Sequence, residues 1–410
     1  MSIKQKVKNF LLNNDMTKKM YDNYHEHAKY IYQIGKPKCV LHEGVIMDVF
    51  EDQKQTFFGY YDKSPLRNGH YIYHSLNSSS LSLNQEVDIY LDHQKIGSSR
   101  SWNWQQGAML SWLDDESIIY NDFINNQYCS VIRDINTNQQ RCIDYPIYKV
   151  SYDGKFALSL NFSRLAKLRP DYGYFNLPYS DITKNDDKDG IFYVDLMKNK
   201  CDLLVSLEKI AAIDTIDSMM DAYHEVNHID LSPDQKRITF LHRWYDNANT
   251  RNSRLIMFDL TTSKLTVLVN EGMVSHCTWK NEKDIVGYLR HDNKDYYYQI
   301  DTKTMKIELL DDQAIFSDDG HPSFSFEQRY MITDTYPDHT CSSKLYLYDD
   351  INKSVVKLGS FYSPKRFQGV SRCDLHPRWA KKSHEITIDT VYSGNRRMCK
   401  LDLRNVIEGK

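Results

Sequence analysis

A strand, a tight polar turn and a second strand recur along most of this chain, and that recurrence constrains the fold more than any other feature. "HIDLSPDQKRITFLHRW" (228–244) shows the unit plainly. Proline presets the turn backbone, aspartate bonds to nearby amides, and apolar/polar alternation on either side marks half-buried strands. The same frame fits "YYDKSPLRNGHYIYHSL" (60–76), "MLSWLDDESIIYND" (109–122), "IYKVSYDGKFALSLNF" (147–162), "HCTWKNEKDIVGYLR" (276–290), "HPSFSFEQRYMITDTY" (321–336) and "HPRWAKKSHEITIDTVY" (376–392). The copies start at Tyr60, Met109, Ile147, His228, His276, His321 and His376, mostly 38 to 55 residues apart. That period is the length of one four-stranded propeller blade.

Hairpins follow several copies: "GIFYVDLMKNKCDLL" (190–204), "RLIMFDLTTSKLTVL" (254–268), "YYYQIDTKTMKIELL" (296–310) and "KLYLYDDINKSVVKL" (344–358). The last copy has too little chain after it for a fourth strand. "CVLHEGVIMDVF" (39–50) is expected to supply that strand and close the ring. The fold expected is all-β: a seven-bladed propeller over 36–410 with a short N-terminal helical extension over 1–35. The doubled interval before His228 contains residues 164–190, read as an insertion loop on one blade.

Charge is nearly balanced, with 52 basic and 55 acidic residues, so no basic field points to nucleic acid. No segment reaches the ~20 apolar residues of a membrane span, and no secretory signal is evident. The eight cysteines include no CxxC pair and read as reduced thiols of a cytoplasmic protein. Residues 3–31 carry Ile3, Val7, Phe10, Leu11 and Met20 near one helical face, with Lys4, Lys6 and Lys8 around it. That pattern suits a helix packed on the main body, or a peripheral contact at the inner membrane face. Thirty tyrosines suit both β-sheet and a sugar-binding surface.

The frame also locates a candidate site. With the turn serine at zero, His228, His276, His321 and His376 all stand at minus four, where the innermost strand begins. A hairpin about the turn returns plus ten to the same end, adding His74, Asn161, His242 and Arg290, with Arg243 next to it. Adjacent imidazoles at a narrow mouth either bind a divalent metal, Mn or Zn, or repel one another when protonated. "SRSWNWQQGAMLSW" (99–112) offers Trp102, Asn103, Gln105 and Gln106 as a sugar platform or as blade packing. The insertion offers Arg164, Arg169, Tyr172 and Tyr174. No GxSxG, P-loop or dinucleotide fingerprint is present.

With "FFGYYDKSP", "WNWQQGAMLSWL", "DGHPSFS" and "RCDLHPRW" in view, the chain resembles the seven-bladed propeller polysaccharide lyases, the oligogalacturonate and ulvan lyases. The resemblance implies a divalent metal on some of His228, His276, His321 and His376, and β-elimination from uronate-containing oligo- or polysaccharides. Such a reaction needs a carboxylate partner, a base and an acid. His74 or His242 is expected as base, Tyr172 or Tyr174 as acid, and Arg164 or Arg169 as the carboxylate partner. Trp102, Asn103, Gln105, Gln106, Asn161, Arg243 and Arg290 are expected to bind substrate. Lyases of large polymers are usually exported and this chain shows no export signal. Two other readings therefore stand beside the lyase. One is an intracellular protein of cell-surface polysaccharide biosynthesis that binds or transfers sugars; the other is a non-catalytic interaction propeller.

Overall fold

The computed structural model describes Tyr30 and residues 34–50, 54–77, 82–83, 85–177, 182–184, 186–246, 250–310, 318–380 and 384–409. The expected N-terminal helix lies outside the described residues apart from Tyr30. Seven antiparallel sheets follow one another along the chain, one per sequence repeat. The fourth blade is typical. Its strands Tyr223–Leu231, Arg237–Tyr245, Arg251–Asp259 and Leu265–Val269 pair in simple order from the channel outward.

The turns behave as their composition dictates. Ser232 Oγ donates to Asp234 (2.6 Å) and accepts from the Arg237 amide (3.0 Å). Ser151 does the same with Asp153 (2.8 Å) and the Phe156 amide (3.0 Å). Apolar residues from facing sheets fill the wedges between blades. Leu241, Leu255 and Leu268 of the fourth blade meet Ile285, Leu289 and Tyr298 of the fifth. Tryptophans staple neighbouring blades: Trp112 Nε1 donates to Pro65 O (2.9 Å) and Trp379 Nε1 to Ser323 O (3.0 Å).

The N-terminal segment closes the ring as expected, with one refinement. Ile46–Val49 is the outermost strand of the last blade and pairs with Arg397–Asp402. The preceding Cys39–Leu41 instead becomes a fifth strand on the sixth blade, pairing with Ser354–Tyr362. One short stretch therefore clips two blades together.

The doubled interval holds two excursions. After the second strand of the third blade comes helix α1 (Phe162–Leu168), capped by Asn161, whose side chain accepts from the Arg164 amide (3.0 Å). Between the third and fourth blades lie helix α2 (Leu207–Ala212) and the 3₁₀ turn Asp217–Met219. Among the described residues no helix is long and apolar enough to cross a membrane, and none of the cysteines forms a disulfide.

Removing residues up to Phe50 strips the closing strand from Cys399 and Leu401, both fully buried. A chain starting at 51 should lose its single cooperative transition in denaturant unfolding. An unchanged midpoint would show that closure lies elsewhere.

Candidate active site at the channel mouth

The first blade breaks its own inner strand to enter the channel. Gln55–Phe57 pairs with His70–Leu76, the chain departs over 58–65, and Leu66–Arg67 resumes the same pairing. The amides of Phe58 and Gly59 donate to the Asp389 carboxylate (3.1 and 2.9 Å), which also pairs with Arg378 (3.0 Å). Gly59 has φ +120°, and a Cβ there would meet the Gln106 backbone at 2.8 Å. This detour carries Tyr60 into the centre of the ring.

Four imidazoles surround the Tyr60 ring, at centroid distances of 5.0 Å (His376), 5.3 Å (His228), 6.1 Å (His321) and 6.4 Å (His276). They also meet one another: His276–His321 at 4.1 Å, His321–His376 at 4.3 Å and His228–His276 at 5.6 Å. The four minus-four histidines thus converge. Local backbone irregularity turns them inward. The ladder shifts register between Asn227 and Asp230 and between Val274 and Cys277, beside His228 and His276. His228 and His376 take φ +53° and +45°, a left-handed conformation costing about 1 kcal/mol or more outside glycine. Side-chain acceptors hold both amides: His228 N donates to Asn227 Oδ1 (2.8 Å) and His376 N to Asp334 Oδ2 (3.1 Å).

Each ring except His376 has a partner at Nδ1. Asp319 faces His276 (3.2 Å), Asp334 faces His321 (2.8 Å), and the Tyr60 hydroxyl faces His228 (2.6 Å). A carboxylate at Nδ1 fixes the proton there and leaves Nε2 its lone pair. Nε2 of His228, His321 and His376 is buried with no hydrogen-bond partner among the described residues. Ligand atoms of His321, Asp374 and His376 lie within 4.8 Å of one another. Burial, reinforced by neighbouring cations, pushes His228 and His376 well below the ordinary histidine value, and His276 to about 4. Burial also opposes charge on His321, but the Asp334 carboxylate outweighs it and raises that ring.

A cationic wall stands beside His228. Arg243 is buried, and its Nε and Nη1, like Arg169 Nη1, have no hydrogen-bond partner among the described residues. Both guanidiniums contribute to holding down His228. Glu225 faces Arg243 across the strand pair with both oxygens buried and without a hydrogen-bond partner among the described residues, and burial pushes its carboxyl up. The Tyr172 ring meets His228 edge-on at 5.2 Å, and its hydroxyl accepts from Arg372 Nη2 (3.2 Å). Arg372 also bonds Asp374 (2.9 Å) and Asp171, tying the insertion to the last blade.

Most other expected site residues hold the scaffold. His74 stacks on Phe57 (4.9 Å) and accepts at Nε2 from the Ala108 amide (3.0 Å), so it presents no lone pair as a base. His242 accepts from Arg254 Nε (3.0 Å) and bonds His224 (2.9 Å), which bonds Met219 O (3.2 Å). Because a guanidinium only donates, this chain fixes both tautomers and occupies both nitrogens of His242. Arg164 is bonded to Asp189 (2.7 Å), His224 O (3.0 Å) and Thr183 O (2.9 Å), leaving no fork for a substrate. The Tyr174 hydroxyl accepts from Asn121 (3.0 Å) with its ring stacked on Phe162 (4.2 Å). Asn161 is a helix cap and bonds Asp189 (2.9 Å). Arg290 pairs with Asp295 (2.7 and 2.8 Å), half-exposed on a hairpin end.

The tryptophan platform is likewise interior. Trp102 is buried against Trp104 and donates to Gln85 O (2.7 Å). Asn103 accepts from the Gln105 and Gln106 amides (3.1 and 2.8 Å). Gln105 donates to Arg372 O (3.0 Å), and Gln106 donates to the Tyr148 hydroxyl (2.7 Å), which accepts from His228 N (3.1 Å). These amides position the site without lining it. The residues not anticipated are Tyr60, Asp319, Glu225 and Arg372. Tyr60 was legible, since it occupies the same minus-four place as the histidines.

No protein-family model matches the sequence, and no curated protein does. Among solved structures, the oligogalacturonate lyase of Vibrio parahaemolyticus shares the fold with a TM-score of 0.59 at 12% identity, over 90% of this chain and 99% of that one. The hydrazine synthase of Kuenenia stuttgartiensis gives 0.47 at 12% identity, over 82% of this chain and 93% of that one. TolB from Acinetobacter baumannii gives 0.41 at 16%, over 87% and 72%. The likeness to the lyase is one of fold: a seven-bladed propeller.

Two measurements test the scaffold. Asp389→Asn leaves Arg378 buried without its counter-charge and should cost about 3 kcal/mol or more in denaturant unfolding; a loss below 1 kcal/mol (roughly, the worth of an exposed pair) would contradict the anchoring role. Burial holds His74 and His224 at about 4 in the folded protein, against 6.5 unfolded. The unfolded chain therefore binds more protons, and the stability they contribute is full above pH 6.5 and lost as pH falls toward 4. The shift corresponds to about 3 kcal/mol per residue. A midpoint flat across that window would oppose it.

Proposed function

We propose that the mouth carries out metal-assisted β-elimination on uronate-containing oligosaccharides. The carrying observation is twofold: Nε2 of His228, His321 and His376 and guanidinium nitrogens of Arg243 and Arg169 are buried with no hydrogen-bond partner among the described residues, and ligand atoms of His321, Asp374 and His376 lie within 4.8 Å of one another. Arginine forks match carboxylates, and imidazoles with one carboxylate suit zinc or manganese. Next to Tyr61 in sequence, Asp62 bonds Lys149 (3.2 Å), which also bonds Asp230 (2.8 Å). The Vibrio oligogalacturonate lyase has the same fold, which adds context; the residues carry the reading.

The donor set fits a divalent cation, with His321, Asp374 and His376 as the residues that would hold it and His276 beside them. Bound there, the cation would polarise the uronate carboxylate and stabilise charge developing next to it. Arg243 and Arg169 bind that carboxylate and orient the sugar. His228 stays neutral at physiological pH and takes the C5 proton at Nε2 when its Nδ1–H donates to Tyr60. The Tyr172 hydroxyl protonates the departing glycosidic oxygen, and the Arg372 donor stabilises the phenolate left behind. The base is thus His228, in place of His74 and His242.

Elimination yields a conjugated unsaturated acid, followed by its ultraviolet absorbance on a panel of uronate oligosaccharides. His321→Ala and His376→Ala should lose bound metal on elemental analysis and at least about 100-fold in rate. His228→Ala should keep the metal and lose about 100-fold or more. Oligosaccharide binding without unsaturated product would move the protein to glycan binding. Unchanged metal content in both metal-site variants would overturn the ligand assignment.

A further inference from the structure

Glu225 and Arg243 are direct cross-strand partners, a placement in which side chains of opposite charge readily meet. They do not bond. Both carboxylate oxygens, Arg243 Nε and Nη1, and Arg169 Nη1 are buried with no hydrogen-bond partner among the described residues. Leaving such groups unpaired in a protein interior costs more than pairing them. The arrangement is therefore completed by a third party that accepts from guanidinium on one side and donates to carboxylate on the other.

Resting on the function proposed above, we infer that this is a two-sided subsite: Arg169 and Arg243 take a sugar carboxylate while Glu225 takes a hydroxyl of the same ligand, so that uronates enter and acceptor-only anions are refused. A uronate carries both group types within one ring. Sulfate carries acceptors only, and its oxygens would be set against those of Glu225, unpaired and repelled. Arg243 pairs across the ladder with Glu225, three residues before His228 on the same strand, which puts the subsite beside the base. Tyr172, stacked under Arg169 (5.1 Å) and edge-on to His228 (5.2 Å), joins the two. Glu225 is a specificity determinant in this scheme, with no proton transferred through it.

The test is calorimetric binding of a uronate disaccharide and of inorganic sulfate to the full chain loaded with its metal. Wild type should bind the uronate and show at least about tenfold weaker affinity for sulfate, the worth of one charged hydrogen bond. Glu225→Gln keeps the shape and supplies an N–H, so uronate should weaken about tenfold and sulfate tighten by about as much. Arg243→Met should weaken both anions. Elimination by the wild type with Glu225→Gln selectivity unchanged would overturn the subsite alone. A shifted selectivity without elimination would uphold the subsite and overturn the lyase reading, whereas no uronate binding would overturn both. Should Glu225→Gln fail to fold, the wild-type ratio decides, and sulfate bound as tightly as the uronate overturns the inference.

Discussion

Ring closure is the constraint on which every other feature depends. Residues 228, 276, 321 and 376 come from four separate blades and meet only if the sheets complete a circle. The pairing that completes it is short: Ile46–Val49 against Arg397–Asp402, with Cys39–Leu41 clipped to the blade next door. Side chains at the inner strand heads then share one axis, and a small change in blade number would spread them apart. The wedges of apolar residues between blades set that spacing, and the tryptophan staples lock it.

Within the ring, the site is made by departures from regular sheet. Regular strands send side chains to the two faces, into neighbouring blades. Bulges beside His228 and His276, left-handed backbone at His228 and His376, and the detour holding Tyr60 redirect side chains to the axis. The buried Asp389–Arg378 pair grips the detour by its amides. Such strain is kept where the surroundings over-determine it.

The same geometry explains what was legible in the sequence. The turn-centred repeat reports strand order and blade count because turns and alternation are local. The minus-four histidines were readable because one frame position repeats one orientation. Position plus ten misled for a physical reason. It lies one strand further out, where His74 meets the Ala108 amide and His242 meets Arg254 and His224 of its own sheet, so both find fixed partners. The stretch with Trp102, Asn103, Gln105 and Gln106 has the chemistry of a sugar platform, yet the close fit of Gly107 against the His74 ring draws it between blades. Glu225 and Arg372 belong to no repeat position; Arg372 bonds through space to Asp171 and Tyr172 of another blade, and the Glu225 carboxylate bonds no described residue, so no local pattern announces them.

Convergence of imidazole lone pairs on a shared point is the central claim, and nitrogen NMR of labelled histidines during zinc titration reads it most directly. At a pH alkaline enough to leave His321 neutral despite the pull of Asp334, the account expects protonated Nδ1 on His276 and His321, unprotonated Nε2 on His321 and His376, and a joint, saturable shift of those two Nε2 signals as zinc is added. Imidazoles that titrate independently near the ordinary histidine value, with signals indifferent to zinc, would contradict it.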